Sequence, residues 1–140
     1  MKIFLDTNVY VAEALLGGPA QEMISAMAGA NWRIYSTPHL LDEIERVLER
    51  LGFSRRFAVL TSERVRRRSR MVEAGTSHHR VAEDEADTPI LRAAMAASVD
   101  FLVTNDRHIL ALDPCEGVRI ISMAQYFDLL VNEGLIQPKA

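Results

Sequence analysis

Four acidic residues, Asp6, Glu43, Asp87 and Asp106, stand where an alternating strand and helix chain would present them to one edge of its sheet. Asp6 directly follows the apolar run Ile3-Phe4-Leu5, and Asp106 follows Phe101-Leu102-Val103-Thr104-Asn105. Open parallel sheets bind ligands outside the carboxyl ends of their strands. Glu43 and Asp87 sit near the starts of helices whose preceding loops lie at that same edge if the crossovers are right-handed. Carboxylates sharing a cleft raise one another's pKa unless a cation neutralises them. An all-oxygen set suits Mg²⁺ or Mn²⁺, which keep some waters and accept phosphate oxygens. A metal-bound water has a lowered pKa and can attack phosphorus, and a second ion would stabilise the leaving oxygen. The chemistry indicated is hydrolysis of a phosphodiester.

Each acid also has a plainer reading. Asp87 can be a helix N-cap, and Asp6 or Asp106 can terminate a strand. Asp6 resists that reading most, because an acid abutting a buried strand is costly without a partner. Glu43 lies on the helix expected over 38–51, whose apolar face carries Leu40, Leu41, Ile44, Val47, Leu48 and Leu51. At 100° per residue Glu43 falls at the margin of that face, whereas Asp42 points away from it.

The elements that must position these acids follow from the pattern. Ile3 to Leu5, Arg33 to Tyr35, Phe101 to Val103 and Arg119 to Ile121 are short apolar strand candidates separated by helical stretches. A second helix opens near Asp87-Thr88-Pro89 and runs to about Ala97, with proline tolerated in the first turn. Such alternation predicts βαβ crossovers and an α/β fold, a three-layer α/β/α sandwich around a mostly parallel central sheet. The 140 residues, 49% hydrophobic and 25% charged, suffice for one domain with its own core. The lone cysteine, Cys115, rules out a disulfide scaffold and reads as a loop or core thiol. The chain begins Met1-Lys2-Ile3-Phe4-Leu5-Asp6, with no apolar signal core, and no run approaches a membrane span, so no membrane association and a cytoplasmic location are expected. A net charge of −3 argues against a generally basic nucleic-acid coat.

Four segments in order resemble the motifs of the PIN-domain ribonuclease family in its small stand-alone, VapC-like form. They are Phe4-Leu5-Asp6-Thr7-Asn8-Val9, Ser36-Thr37-Pro38-His39-Leu40-Leu41-Asp42-Glu43-Ile44, Asp87-Thr88-Pro89-Ile90-Leu91-Arg92-Ala93-Ala94 and Val99-Asp100-Phe101-Leu102-Val103-Thr104-Asn105-Asp106. The resemblance covers nearly the whole chain and implies a single PIN-like nuclease domain over 1–140. It further implies a Mg²⁺ or Mn²⁺ cofactor held by Asp6, Glu43, Asp87 and Asp106 as metal ligands and catalytic residues, with Asn8 and Thr104 in support. The implied activity is endonucleolytic cleavage of RNA. A small antitoxin protein and a homodimer are the partners the resemblance suggests, with the chain as the toxin of a toxin-antitoxin pair. Its rivals are a catalytically inactive PIN-like binding or regulatory module, and a phosphatase with an aspartyl nucleophile. The phosphatase would want a second aspartate where this chain has Asn8.

Positive charge is concentrated in Arg55-Arg56 and in Arg64, Arg66, Arg67, Arg68 and Arg70. The planar guanidinium fork matches phosphate oxygens, so Arg66, Arg67 and Arg70 are candidates for holding an RNA backbone. A solvated helical face that meets an acidic partner is an equal reading. His78-His79 with Glu83, Asp84 and Glu85 reads as a polar loop in preference to a transition-metal site. His39 and His108 flank two acidic motifs and read as surface or capping residues in preference to substrate contacts. Met23, Met27, Met71, Met95 and Met123 read as packing residues, and Trp32 as a neighbour of the second strand.

Overall fold

The computed structural model describes residues 1–72 and 88–137. Asp87 and the His78-His79-Glu83-Asp84-Glu85 group therefore lie outside the described residues. In chain order the elements are β1 (Lys2–Leu5), α1 (Thr7–Leu16), α2 (Gly18–Gly29), β2 (Arg33–Ser36), α3 (Pro38–Arg50), α4 (Arg55–Arg68), β3 (Arg70–Met71), α5 (Thr88–Ala96), β4 (Phe101–Val103), α6 (Arg107–Leu110), β5 (Arg119–Ile121) and α7 (Met123–Asn132). All four expected strands form. The fifth, β3, is two residues long and ends the arginine segment, whose residues up to Arg68 are helical in α4.

The sheet runs β3-β2-β1-β4-β5 with every pairing parallel. Successive side chains of a strand point to opposite faces, yet Ile3, Phe4 and Leu5 are all fully buried. Helices must then cover both faces of β1, which gives the α/β/α sandwich. The chain builds outward from β1 through β2 to β3, then returns to the other flank of β1 as β4 and β5. The strand order thus reverses between β1 and β4, and the crevice beyond their carboxyl ends is the natural ligand position of such a sheet.

Helix α3 carries the strongest amphipathic pattern, with Leu40, Ile44 and Leu48 buried and Asp42 and Arg46 exposed. Its start is set by Thr37, whose Oγ1 accepts from the Leu40 amide at 3.0 Å, with Pro38 in the first turn. Leu51 departs from expectation. It falls at the C-cap, beyond the packed stripe, and is 52% exposed. Met71 is likewise exposed, because the short edge strand that carries it offers little cover, whereas Met23, Met27 and Met95 are in the core. Trp32 packs against Tyr126 just before β2, and Cys115 lies half-buried against the core. No described helix is long and apolar enough to cross a membrane.

Helix α4 returns antiparallel to α3. Arg55 meets Glu49 and Glu45 near the helix turn, and the Ser62 hydroxyl donates to Glu45 at 2.6 Å one level along. Because Thr37 is buried and holds the first turn of α3 in place, Thr37→Ala is expected to cost about 1 kcal/mol of stability in urea unfolding, and Thr37→Ser much less.

Candidate active site

Asp6 occupies the junction of β1 and α1 and is nearly fully buried. Its backbone amide donates to the Val103 carbonyl at 3.0 Å, continuing the β1·β4 pairing past the strand ends. Its Oδ1 accepts from the Thr7 amide at 2.6 Å, and its Oδ2 accepts from the Thr104 hydroxyl at 2.7 Å and from Asn8 Nδ2 at 3.4 Å. Thr104 is fully buried. Its Oγ1 also accepts from the Asp106 amide at 3.0 Å and from Asn8 Nδ2 at 3.3 Å. Asn8 Oδ1 accepts in turn from the Asn105 amide at 3.4 Å. One hydroxyl and one carboxamide thereby lace the loop after β1 to the loop after β4.

Asp106 is the N-cap of α6, its Oδ1 accepting from the amides of His108 and Ile109. Asp106 thus does more than terminate a strand: one of its two carboxylate oxygens caps the following helix. Glu43 arrives from α3, is about one-third exposed, and has His39 Nε2 3.6 Å from its Oε2. Asp6, Glu43 and Asp106 line one open cleft of about 400 Å³, together with Thr7, Asn8, His39 and an apolar wall that includes Val11, Leu15 and Val47. Three of the four expected acids are thus brought to one cleft, while the fourth, Asp87, is outside the described residues. Among the described residues no arginine or lysine forms an ion pair with any of the three. Among them, too, no three acidic, histidine or cysteine side chains are gathered tightly enough to enclose a metal unaided.

One lining residue, Thr7, is not singled out by the sequence, and a second, His39, stands out there only as the lesser of two readings. Thr7 lines the cleft and supplies the amide that fixes Asp6 Oδ1. His39 is not a cap, since Thr37 caps α3; it lines the cleft on the face of Glu43. The Thr37-Pro38 pair was the available signal, since Ser or Thr before a proline at the first helical position marks an N-cap and places His39 and Glu43 one turn apart on one face.

The arginines divide into separate roles. Arg68 forms a two-pronged ion pair with Glu13, at 2.8 and 3.1 Å, that fastens the end of α4 to α1. Arg66 and Arg67 lie beside Glu63 at 3.5 and 3.6 Å in exposed pairs. Arg70 is exposed on β3, and its register opposite Tyr35, near the end of β2, puts it on the carboxyl edge of the sheet.

Burial raises the Asp6 pKa from 3.8 to about 6 against the lowering effect of the Thr104 and Thr7 hydrogen bonds, with Glu43 and Asp106 adding repulsion. A carboxyl group with a raised native pKa binds its proton more tightly folded than unfolded, so its contribution to stability declines as pH rises from about 4 to 6. In chelator, Asp6→Asn is expected to gain about 2 kcal/mol on the wild type between pH 4 and pH 7. Urea unfolding at the two pH values measures the gain, and a constant difference would show that Asp6 is not held charged at a cost.

The profile of the PIN domain matches residues 2–108. No curated protein matches the chain in sequence. Among solved structures, a chain from the crystal structure of VapBC2 from Rickettsia felis bound to a DNA fragment from their promoter is similar in fold. The match has a TM-score of 0.66 at 14% identity and covers 87% of this chain and 98% of that one. The matched span takes in β1 through the start of α6, and hence Asp6, Glu43 and Asp106: the chain belongs to the PIN domain family.

Proposed function

We propose that the protein is a divalent-metal-dependent endoribonuclease of VapC-like type, with residues 1–140 acting as one nuclease domain. The observation that carries this reading is Asp6, a buried carboxylate fixed by three donors beside two further acids, with no cationic side chain paired to it among the described residues. Such an arrangement suits an added cation. The donor set is oxygen-rich, as Mg²⁺ or Mn²⁺ prefers, and either ion needs only a few carboxylates with waters in the remaining positions. Asp6, Glu43 and Asp106 are the described residues that would hold it, with Asp87 as the fourth acid. A bound ion supplies a nucleophilic water at neutral pH and charge stabilisation at phosphorus. Thr104 and Asn8 hold the Asp6 carboxylate in place and keep the two loops in register.

For the substrate, Arg70 is the arginine best placed. Adjacent strands are about 4.8 Å apart, so β3 lies roughly 10 Å from β1 along the carboxyl edge of the sheet. A single-stranded backbone leaving the acidic cleft across the end of β2 would meet it within one or two phosphates. Arg66 and Arg67 end the helix just before it, where their charge also complements the helix dipole. Association with a small antitoxin belongs to the same reading, supported by the likeness to a chain of a VapBC2 assembly, and formation of a homodimer is proposed with it from the family resemblance alone.

Single-stranded RNA is expected to be cut in Mn²⁺ or Mg²⁺ and left intact in chelator, with Asp6→Asn reducing the rate at least a hundredfold. Equal cleavage by the variant, or in chelator, would overturn the mechanism. Failure of any divalent ion to bind would favour the inactive binding module. Arg70→Ala is expected to weaken RNA binding several-fold and to reduce the slope of log affinity against log salt by about 0.7 of a unit. An unchanged slope would remove Arg70 from the interface.

A further inference from the structure

We propose that His39 is a nitrogen donor to the cation of this cleft, shifting its preference toward transition-metal ions such as Co²⁺ and away from Mg²⁺. The inference rests on the reading of the cleft as a metal centre, and adds to the four acids a ligand of different chemical type.

Three observations support it. His39 and Glu43 are one helical turn apart on the same face of α3, with Nε2 and Oε2 separated by 3.6 Å. Two neighbouring donors on one ion, each about 2.1 Å from it, stand about 3 Å apart, so a small rotation of either side chain brings the pair to ligand spacing. Both line the cleft that Asp6 and Asp106 also line. Among the described residues His39 has no ionic partner but Glu43. It is half-exposed and therefore contributes little to the core, and the helix start it adjoins is capped by Thr37.

The chemical consequence follows from ligand type. Mg²⁺ is a hard ion that holds to oxygen and gains little from an imidazole. Affinity for nitrogen donors rises through Mn²⁺, Fe²⁺ and Co²⁺, so one imidazole widens the gap between these ions and Mg²⁺. A clip of one nitrogen and one carboxylate oxygen leaves the other positions to water, to Asp6 or Asp106, and to a substrate phosphate. It does not require three protein ligands closing on the ion at once.

The test is calorimetric titration at pH 7.5 of tag-free protein with MgCl₂ and with CoCl₂, comparing the wild type, His39→Gln and a His78→Gln/His79→Gln control. His39→Gln is expected to lower Co²⁺ affinity at least tenfold while leaving Mg²⁺ affinity within about twofold, and the control is expected to match the wild type. In the wild type the His39 imidazole proton resonances should also show large paramagnetic shifts on adding Co²⁺. Because His39 is half-exposed, the variant should fold, which circular dichroism verifies. Unchanged affinities for both Co²⁺ and Mg²⁺ in His39→Gln overturn this inference and leave the metal reading intact. Equal loss of both ions would likewise overturn it and make His39 a positioning residue for Glu43. If the wild type binds neither ion, the metal reading itself falls.

Discussion

The hydrogen bond from the buried Thr104 hydroxyl to Asp6 Oδ2 organises the functional edge of this molecule. It ties the residue that ends β1 to the loop that leaves β4, across the point where the order of strands in the sheet reverses. The same oxygen of Thr104 receives the Asp106 amide, so one side chain sets the spacing between two acids 100 positions apart in sequence. A carboxylate this deeply buried keeps its charge only at a cost, and burial raises its pKa more than its hydrogen bonds lower it. The fold therefore stores at Asp6 an electrostatic demand that its own described side chains leave unmet.

The remaining architecture places other groups around that demand. The apolar face of α3 packs on the core through Leu40, Ile44 and Leu48, and a residue at the margin of such a face must emerge at the border between core and solvent. That is why Glu43 lies on the wall of the cleft and Asp42 does not. The antiparallel return of α4 raises the chain back to the carboxyl edge, where β3 begins, and delivers the arginine segment to the same edge as the acids. Within that segment packing assigns different duties to similar residues. Arg68 meets Glu13 in a partly buried two-pronged pair that joins two helices, while Arg70, two residues on, stays exposed on the outermost strand.

Much of this was legible in the sequence because it depends on local or periodic rules. The alternation of short apolar runs with helical stretches implied a parallel sheet. Ile3-Phe4-Leu5 ending in an acid, and Phe101-Leu102-Val103 ending in Thr104-Asn105-Asp106, marked two equivalent strand ends. The amphipathic period of α3 separated Glu43 from Asp42. Strand β3 was not legible, since two residues carry no period, and it exists only because the edge of β2 is open to pair with it. The exposure of Leu51 depends on where the helix stops, which periodicity alone does not mark.

Residue type, capping and hydrophobic period act within a few positions, and these local rules were enough to mark most strands and helices and the acids that stand at their ends. That Thr104 bridges two acids, that Asp106 commits one oxygen to a helix cap, that His39 faces the cleft, and that Arg68 and Arg70 part ways came from the assembled fold. Each of those outcomes depends on which strands become neighbours and at what register, a choice made by packing the whole core at once and not by any segment alone.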